Sequence, residues 1–129
     1  MEISRTIVVL DAADLAAVSA FWAGLLGGTV DAEDGWHTVS VDGEPRIGIQ
    51  LAPDHVQPEW PDGPPQQIHL DLYVEDLASA HEEVMALGAR LLQEAEDPSA
   101  EEGFQVYADP AGHPFCLVLD TSGSPAEAV

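Results

Sequence analysis

His69, Asp71 and Tyr73 stand two residues apart in QIHLDLYV (67–74), where they alternate with Ile68, Leu70, Leu72 and Val74. Successive side chains of a strand point to opposite faces, so a strand here presents the three polar groups on one side and the apolar set on the other. An imidazole beside a carboxylate can act as a general base. The same pair can instead line a pocket and hydrogen-bond a ligand or water without moving a proton. Cys116 lies in the apolar run PFCLVL (114–119), and no basic group can be placed beside it. That setting suits an inert buried thiol better than a nucleophile. Arg5, one of three cations, could hold a carboxylate or phosphate bidentately, or pair with a surface acid. Trp36 and Tyr73, both in strand-like runs, offer flat walls to an aromatic ligand. Trp60 could do so or cover an apolar edge. His113, after a glycine in a turn, is expected in solvent, and His81, off the apolar stripe of its helix, is expected exposed. No phosphate loop, Ser-His-Asp arrangement or zinc cysteine cluster is present in the sequence.

The elements that must position these residues follow from periodicity and caps. Ile3 to Leu10 is rich in β-branched residues and predicts a strand. Asp14 can cap a helix whose apolar face is Leu15, Val18, Phe21, Trp22, Leu25 and Leu26, ending at Gly27-Gly28. Thr29-Val30 resumes an extended path, and Asp34-Gly35 turns it. Trp36 to Val41 and Arg46 to Leu51 predict a hairpin around Asp42-Gly43. Residues 53–65 hold five prolines and read as a linker. The order then returns. The strand of His69 leads to Asp76 as N-cap, a helix with Leu77, Ala80, Val84 and Leu87 on one stripe, Gly88 as its stop, and a returning strand through Leu92. After an acidic loop (93–103) come strands at Phe104–Ala108 and Pro114–Leu119, joined by the turn Asp109-Pro110-Ala111-Gly112. The tail from Asp120 to Val129 is expected to fray. The chain therefore reads as one domain, 1–129, of two strand–helix–strand–strand–strand modules, 3–51 and 66–119. A module that cannot bury its own sheet face must pair with its copy, in this chain or another.

Composition narrows the partners. Twenty-four Asp and Glu stand against three Arg and no Lys, a formal net charge of −21. Such a field repels nucleic acid and anionic membrane surfaces. It keeps a protein soluble, and it could also draw in a cationic ligand. Without lysine the chain has no Schiff-base or pyridoxal-phosphate anchor. With 46% apolar residues it can build a core. One cysteine forms no intrachain disulfide. No apolar run is long enough for a bilayer, and the N-terminus lacks a basic leader and cleavage site, so the cytoplasm is the expected location.

The stretches IHLDLYVEDLASAHEEVMALGARLL and FQVYADPAGHPFCLVLD, with the repeated βαβββ order, resemble the glyoxalase-like subgroup of the vicinal oxygen chelate superfamily, which includes glyoxalase I, extradiol dioxygenases and bleomycin-resistance proteins. The resemblance spans residues 3–119 and implies an α+β fold of two βαβββ modules forming a curved mixed sheet cleft flanked by helices. In metal-dependent members a divalent ion sits in that cleft on His, Gln or Glu from the first and last strand of each half. His69 matches the first-strand ligand of the second half. Aligning Asp14 with Asp76 puts Ile7, which cannot bind metal, at the first-half counterpart, and Arg5 on its strand face opposite Gln67. Cys116 stands where a ligating Glu usually does, and the remaining position falls near Gly48 or Gln50. A thiolate, an imidazole and an amide make a mixed, incomplete set. The resemblance thus implies a homodimeric, metal-free binder of a small organic molecule, aromatic or cationic. His69, Asp71 and Tyr73 would be its polar contacts, Trp36 and Ile7 its walls, and Arg5, Gln50 and Cys116 further lining. The alternative is a lyase, isomerase or dioxygenase using a divalent ion on His69, Gln50 and Cys116, or His69 as a base. A protein-interaction module using the sheet edge is a third reading, and no hydrophobic peptide groove supports it.

Overall fold

Both helices begin on an aspartate and end on a glycine. In the computed structural model, which describes residues 2, 4–57, 68–94 and 103–120, α1 spans Leu15–Leu26 and α2 spans Leu77–Leu87. Asp14 accepts from Ala17 N, Asp76 accepts from Ser79 N, and Gly27 and Gly88 close the helices in the left-handed region. Each cap satisfies backbone groups the helix end would otherwise leave unpaired. Trp60, Gln67, most of the Pro-rich linker, residues 95–102 of the acidic loop and the tail from 121 lie outside the described residues.

Around the helices lie eight strands: β1 (Val8–Ala12), β2 (Thr29–Glu33), β3 (Trp36–Val41), β4 (Glu44–Leu51), β5 (Leu70–Val74), β6 (Arg90–Gln93), β7 (Phe104–Ala108) and β8 (Pro114–Leu119). They form two four-stranded mixed sheets, ordered β1-β4-β3-β2 and β5-β8-β7-β6. The two modules are thus topological copies, and each first strand lies at a sheet edge, parallel to the last strand of its module.

Three boundaries differ from the sequence reading. The first strand runs from Val8 to Ala12, not Ile3 to Leu10. Its limits are set by parallel pairing with β4, from Val8↔Ile47 to Ala12↔Leu51, which local β propensity cannot reveal. Arg5 and Ile7 therefore precede the strand. Similarly β5 begins at Leu70, opposite Phe115. Ile68, expected on the helix-covered face, is 73% exposed. The second strand of the hairpin starts two residues early, at Glu44. Asp42 (φ 52°) and Gly43 (φ 81°) both take positive φ, which makes a tight two-residue turn pairing Val41 with Glu44.

The helices lie between the two sheets. Val39, Ile47 and Ile49 of the first sheet join Val18, Phe21 and Trp22 of α1, Val84 of α2, and Tyr107, Phe115 and Leu117 of the second sheet in one buried cluster. Phe21 and Trp22 meet the Phe115 ring at centroid distances of 5.8 and 5.3 Å, and Tyr107 stacks on Phe115 from its neighbouring strand. Burial of this aromatic surface ties the modules together. Each sheet turns one face into this shared core, and the alternate residues form an opposite, open face.

A buried carboxylate reinforces the joint. Asp109, in the β7–β8 turn, accepts from Trp22 Nε1 at 2.8 Å and from the backbone of Ala111 and His113 at 2.9 Å each. His113 Nδ1 lies 2.7 Å from the same carboxylate. His113 is therefore largely buried in a network rather than solvated. His81, expected exposed, is half-buried, its Nδ1 2.7 Å from the hydroxyl of Tyr107, which also accepts from Gln105 Nε2 at 2.7 Å. Burial pushes the Tyr107 hydroxyl above its usual pKa, and the Gln105 hydrogen bond partly opposes this. His81 found its partner on a distant strand, which no local pattern announces, whereas His113 is held by Asp109 of its own turn.

Candidate functional site

The register of β5 against β8 places Asp71 opposite Cys116. Paired residues of neighbouring strands share a face, so Asp71, Tyr73 and Cys116 lie on the open face of the second sheet. His69 sits just ahead of the strand, its Nε2 3.2 Å from Asp71 Oδ1. The Cys116 thiol donates to the Asp71 carboxylate, and burial together with that negative charge pushes the thiol up to about 11. The result is a compact trio of imidazole, carboxylate and thiol. His69 and Asp71 side chains are about half exposed, at 47% and 43%, whereas Cys116 is buried. Tyr73, 66% exposed, follows along the same edge. Next to Asp71 and Tyr73 a cavity of about 360 Å³ is lined by Leu25 and Leu26 of α1, Ala80 and Val84 of α2, and Leu72 of β5.

The first module answers His69, Asp71 and Cys116 with apolar or small residues. Aligning Asp14 with Asp76 superimposes β1 on β5 residue for residue, so Ile7 and Val9 correspond to His69 and Asp71. Val9 pairs with Gly48 as Asp71 pairs with Cys116, and Gly48 is therefore the counterpart of Cys116. The ambiguity between Gly48 and Gln50 resolves to Gly48, because Gln50 lies opposite Asp11, the counterpart of Tyr73. The Trp36 indole covers Gly48 so closely that a Cβ there would collide with it. Trp36 Nε1 donates to Thr38 Oγ1 at 2.9 Å, which holds the ring flat along the sheet. The first open face is thus an aromatic platform edged by Val9 and Gln50.

The structure brings together His69, Asp71, Tyr73 and Cys116 on one face, and Trp36 and Gln50 on another. It does not bring Gln50 to His69 and Cys116, because the two open faces lie on opposite sides of the shared helical core. Arg5 is exposed in the segment before β1 and takes part in no ion pair among the described residues. The metal positions that the resemblance implies fall on Ile7, Gly48, His69 and Cys116. Two of these four have no donor, so the two-module metal set does not fit this chain. Sequence reasoning missed the Asp71–Cys116 contact, since the register of strands over forty residues apart leaves no local signal. The Trp36–Thr38 bond was more accessible, because residues two apart in a strand share a face.

Comparison with solved structures places the fold. The chain aligns with the fosfomycin resistance protein FosX from Listeria monocytogenes at TM-score 0.67 and 18% identity, covering 95% of this chain and 97% of that one. A glyoxalase-related enzyme from Fulvimarina pelagi matches at TM-score 0.67 and 19% identity, covering 92% and 89%. A glyoxalase/bleomycin resistance protein/dioxygenase family enzyme from Burkholderia phytofirmans matches at 0.66 and 15%, covering 88% and 95%. At these identities the likeness speaks for the fold and not for a shared reaction. No functionally curated protein matches the chain. No helix among the described residues is long and apolar enough to cross a membrane. The family model of the glyoxalase-like domain matches residues 7–118, and the chain belongs to that family.

Proposed function

We propose that this glyoxalase-like protein reversibly binds a small aromatic or cationic organic molecule, as a cytoplasmic homodimer, without the complete metal set of its metal-dependent relatives. One observation carries this reading: the first-module positions matching His69 and Cys116 are Ile7 and Gly48, and Trp36 lies over Gly48. A face built that way leaves the family's metal positions in this module without a donor and offers a flat ring an aromatic wall. The second face supplies the polar contacts, with His69 and Asp71 3.2 Å apart and Tyr73 beside them. An acidic chain of net charge −21 favours a positively charged ligand. Because the two open faces point away from each other in one chain, a second copy is needed to oppose one face to the other, and this supports the homodimer. A lyase, isomerase or dioxygenase of the family's metal-dependent type would need ligands from both halves, which this chain lacks.

The test is a thermal-melt screen of small aromatic and cationic compounds, with sedimentation to give the assembly state. A ligand that binds only the folded protein raises the melting temperature, by about 2.7 kcal/mol of stabilisation at a hundredfold excess over Kd. A hit should lose affinity roughly tenfold or more in Trp36→Ala and in His69→Ala, and the protein should sediment as a dimer. Hits insensitive to both substitutions, or a monomer with full affinity, would sink the proposal.

A further inference from the structure

A second cavity opens on the helix-covered side of the second module, away from both open faces. It measures about 270 Å³ and lies between α2 and the strands β6 and β7. Leu77 of α2 and Leu91 of β6 give it apolar walls, and the buried Gln105 of β7 lines it too. Its remaining polar groups are His81 and Glu82 of α2 and Glu94 just past β6. Both glutamates are exposed, and no arginine is among the described lining residues. One hydrogen-bond chain fixes the His81 imidazole. Tyr107 Oη accepts from Gln105 Nε2 at 2.7 Å, and His81 Nδ1 lies 2.7 Å from the same oxygen. Tyr107 is fully buried, so its own proton must find an acceptor, and His81 Nδ1 is the one it meets. The neutral ring therefore carries its proton on Nε2, a donor with no protein partner among the described residues.

Charge and shape define what this cavity can hold. Two carboxylates without a cation beside them repel an anion and attract a positive group, in a chain of net charge −21. His81, Glu82 and Glu94 form no converging group of metal-ligand atoms, so the charge suits an organic ammonium better than a bare ion. Leu77 and Leu91 favour an aliphatic body, and the Nε2–H of His81 calls for an oxygen acceptor. We propose that the cavity binds a small aliphatic ammonium compound bearing a hydroxyl or carbonyl oxygen. Glu82 and Glu94 hold the charge, His81 donates to the oxygen, and Leu77 and Leu91 pack the hydrocarbon. A volume of about 270 Å³ suits a molecule of amino-alcohol size rather than a drug-sized one. The site uses no residue of either open face, so it goes beyond the ligand-binding reading above and holds or fails independently of it.

The full-length protein is titrated calorimetrically with L-leucinol, which joins an ammonium, a hydroxyl and an isobutyl group. Isopentylamine, which lacks the hydroxyl, and isocaproate, which reverses the charge, are the comparisons. The expected result is one leucinol per chain, isopentylamine weaker by roughly threefold or more, and no binding of isocaproate. Glu82→Gln and Glu94→Gln, both at exposed positions, should each weaken leucinol by roughly threefold, and the double variant by roughly tenfold. Glu44→Gln removes the same charge from the first module and should leave the affinity unchanged, as should Trp36→Ala. In the unmodified protein, the ring-nitrogen NMR signals of His81 should move with leucinol and stay put with isopentylamine, a readout that no folding defect of a variant can affect. Absence of leucinol binding at millimolar concentration, equal binding of isocaproate, or an unmoved His81 signal would overturn the site. So would a Glu44→Gln loss equal to that of Glu82→Gln, which would mark attraction to the overall charge alone. Leucinol binding that disappears in Trp36→Ala would overturn it as well, while leaving the open-face reading intact.

Discussion

At the scale of single residues, Cys116 is the side chain whose chemistry the fold changes most. Burial first, then the Asp71 charge and hydrogen bond, move its thiol from the ordinary 9.0 to about 11. The folded value lies above the unfolded one, so the fold favours the protonated thiol. The stability this contributes is complete below pH 9 and is lost as pH rises through about 11. We expect iodoacetamide to modify the native protein slowly at pH 8, with the rate rising only as pH approaches 11, while the urea-unfolded chain follows the ordinary thiol profile. Asp71→Asn should shift the native profile only part of the way down, since desolvation is the larger cause. A native profile centred on the ordinary thiol range would contradict the burial of Cys116 beside Asp71. Cysteine in an apolar strand already suggested an unreactive thiol. The carboxylate partner that reinforces it was not legible, because it comes from a different strand.

At the scale of elements, one contact of the first module has no counterpart at Cys116 of the second. Gly48 lets the Trp36 indole lie on the sheet, and Thr38 holds it there. Gly48→Ala should therefore cost about 1–3 kcal/mol, as overpacking does, measured as a lower urea midpoint with an unchanged slope. In a Trp36→Ala background the same change should cost much less, since the collision is gone, and the coupling in the double-mutant cycle reports the contact. Equal costs in both backgrounds would remove Trp36 from Gly48. The helices and most strands of this architecture were readable: Asp14 and Asp76 as caps, Gly27 and Gly88 as stops, and a two-residue turn at Asp42-Gly43. These are local effects, each determined within a few residues. The beginnings of β1 and β5 were not, because pairing partners decide where a strand starts.

At the scale of the whole molecule, the modules are joined by a shared aromatic core and by the Asp109 carboxylate beneath it. Asp109 satisfies the Trp22 indole, two backbone N–H groups and His113 at once. Asp109→Ala strands all four in a buried place and should destabilise the protein by on the order of 3 kcal/mol or more. Trp22→Phe keeps most of the ring and leaves the carboxylate its other partners, so it should cost clearly less. Chemical denaturation of both variants checks this, and an Asp109→Ala cost under about 1 kcal/mol would mean that the network contributes little to holding the modules together. In the sequence, Asp109 reads as a turn residue. Its role as a bridge to α1 depends on a partner 87 residues away.

Local chemistry in the chain was enough to specify the repeated modules, their caps and turns, the strand that carries Asp71 and Tyr73, and a net charge of −21. Periodicity, capping and charge act within a turn of helix, a few strand residues or a mean field, so they survive in one dimension. Tertiary structure alone resolved that Cys116 faces Asp71, that Gly48 rather than Gln50 is its counterpart under Trp36, and that the helices lie between the sheets with the open faces outward. Each of these depends on register or packing between distant segments. That choice is made by the combined burial of the core and not by any single stretch of residues.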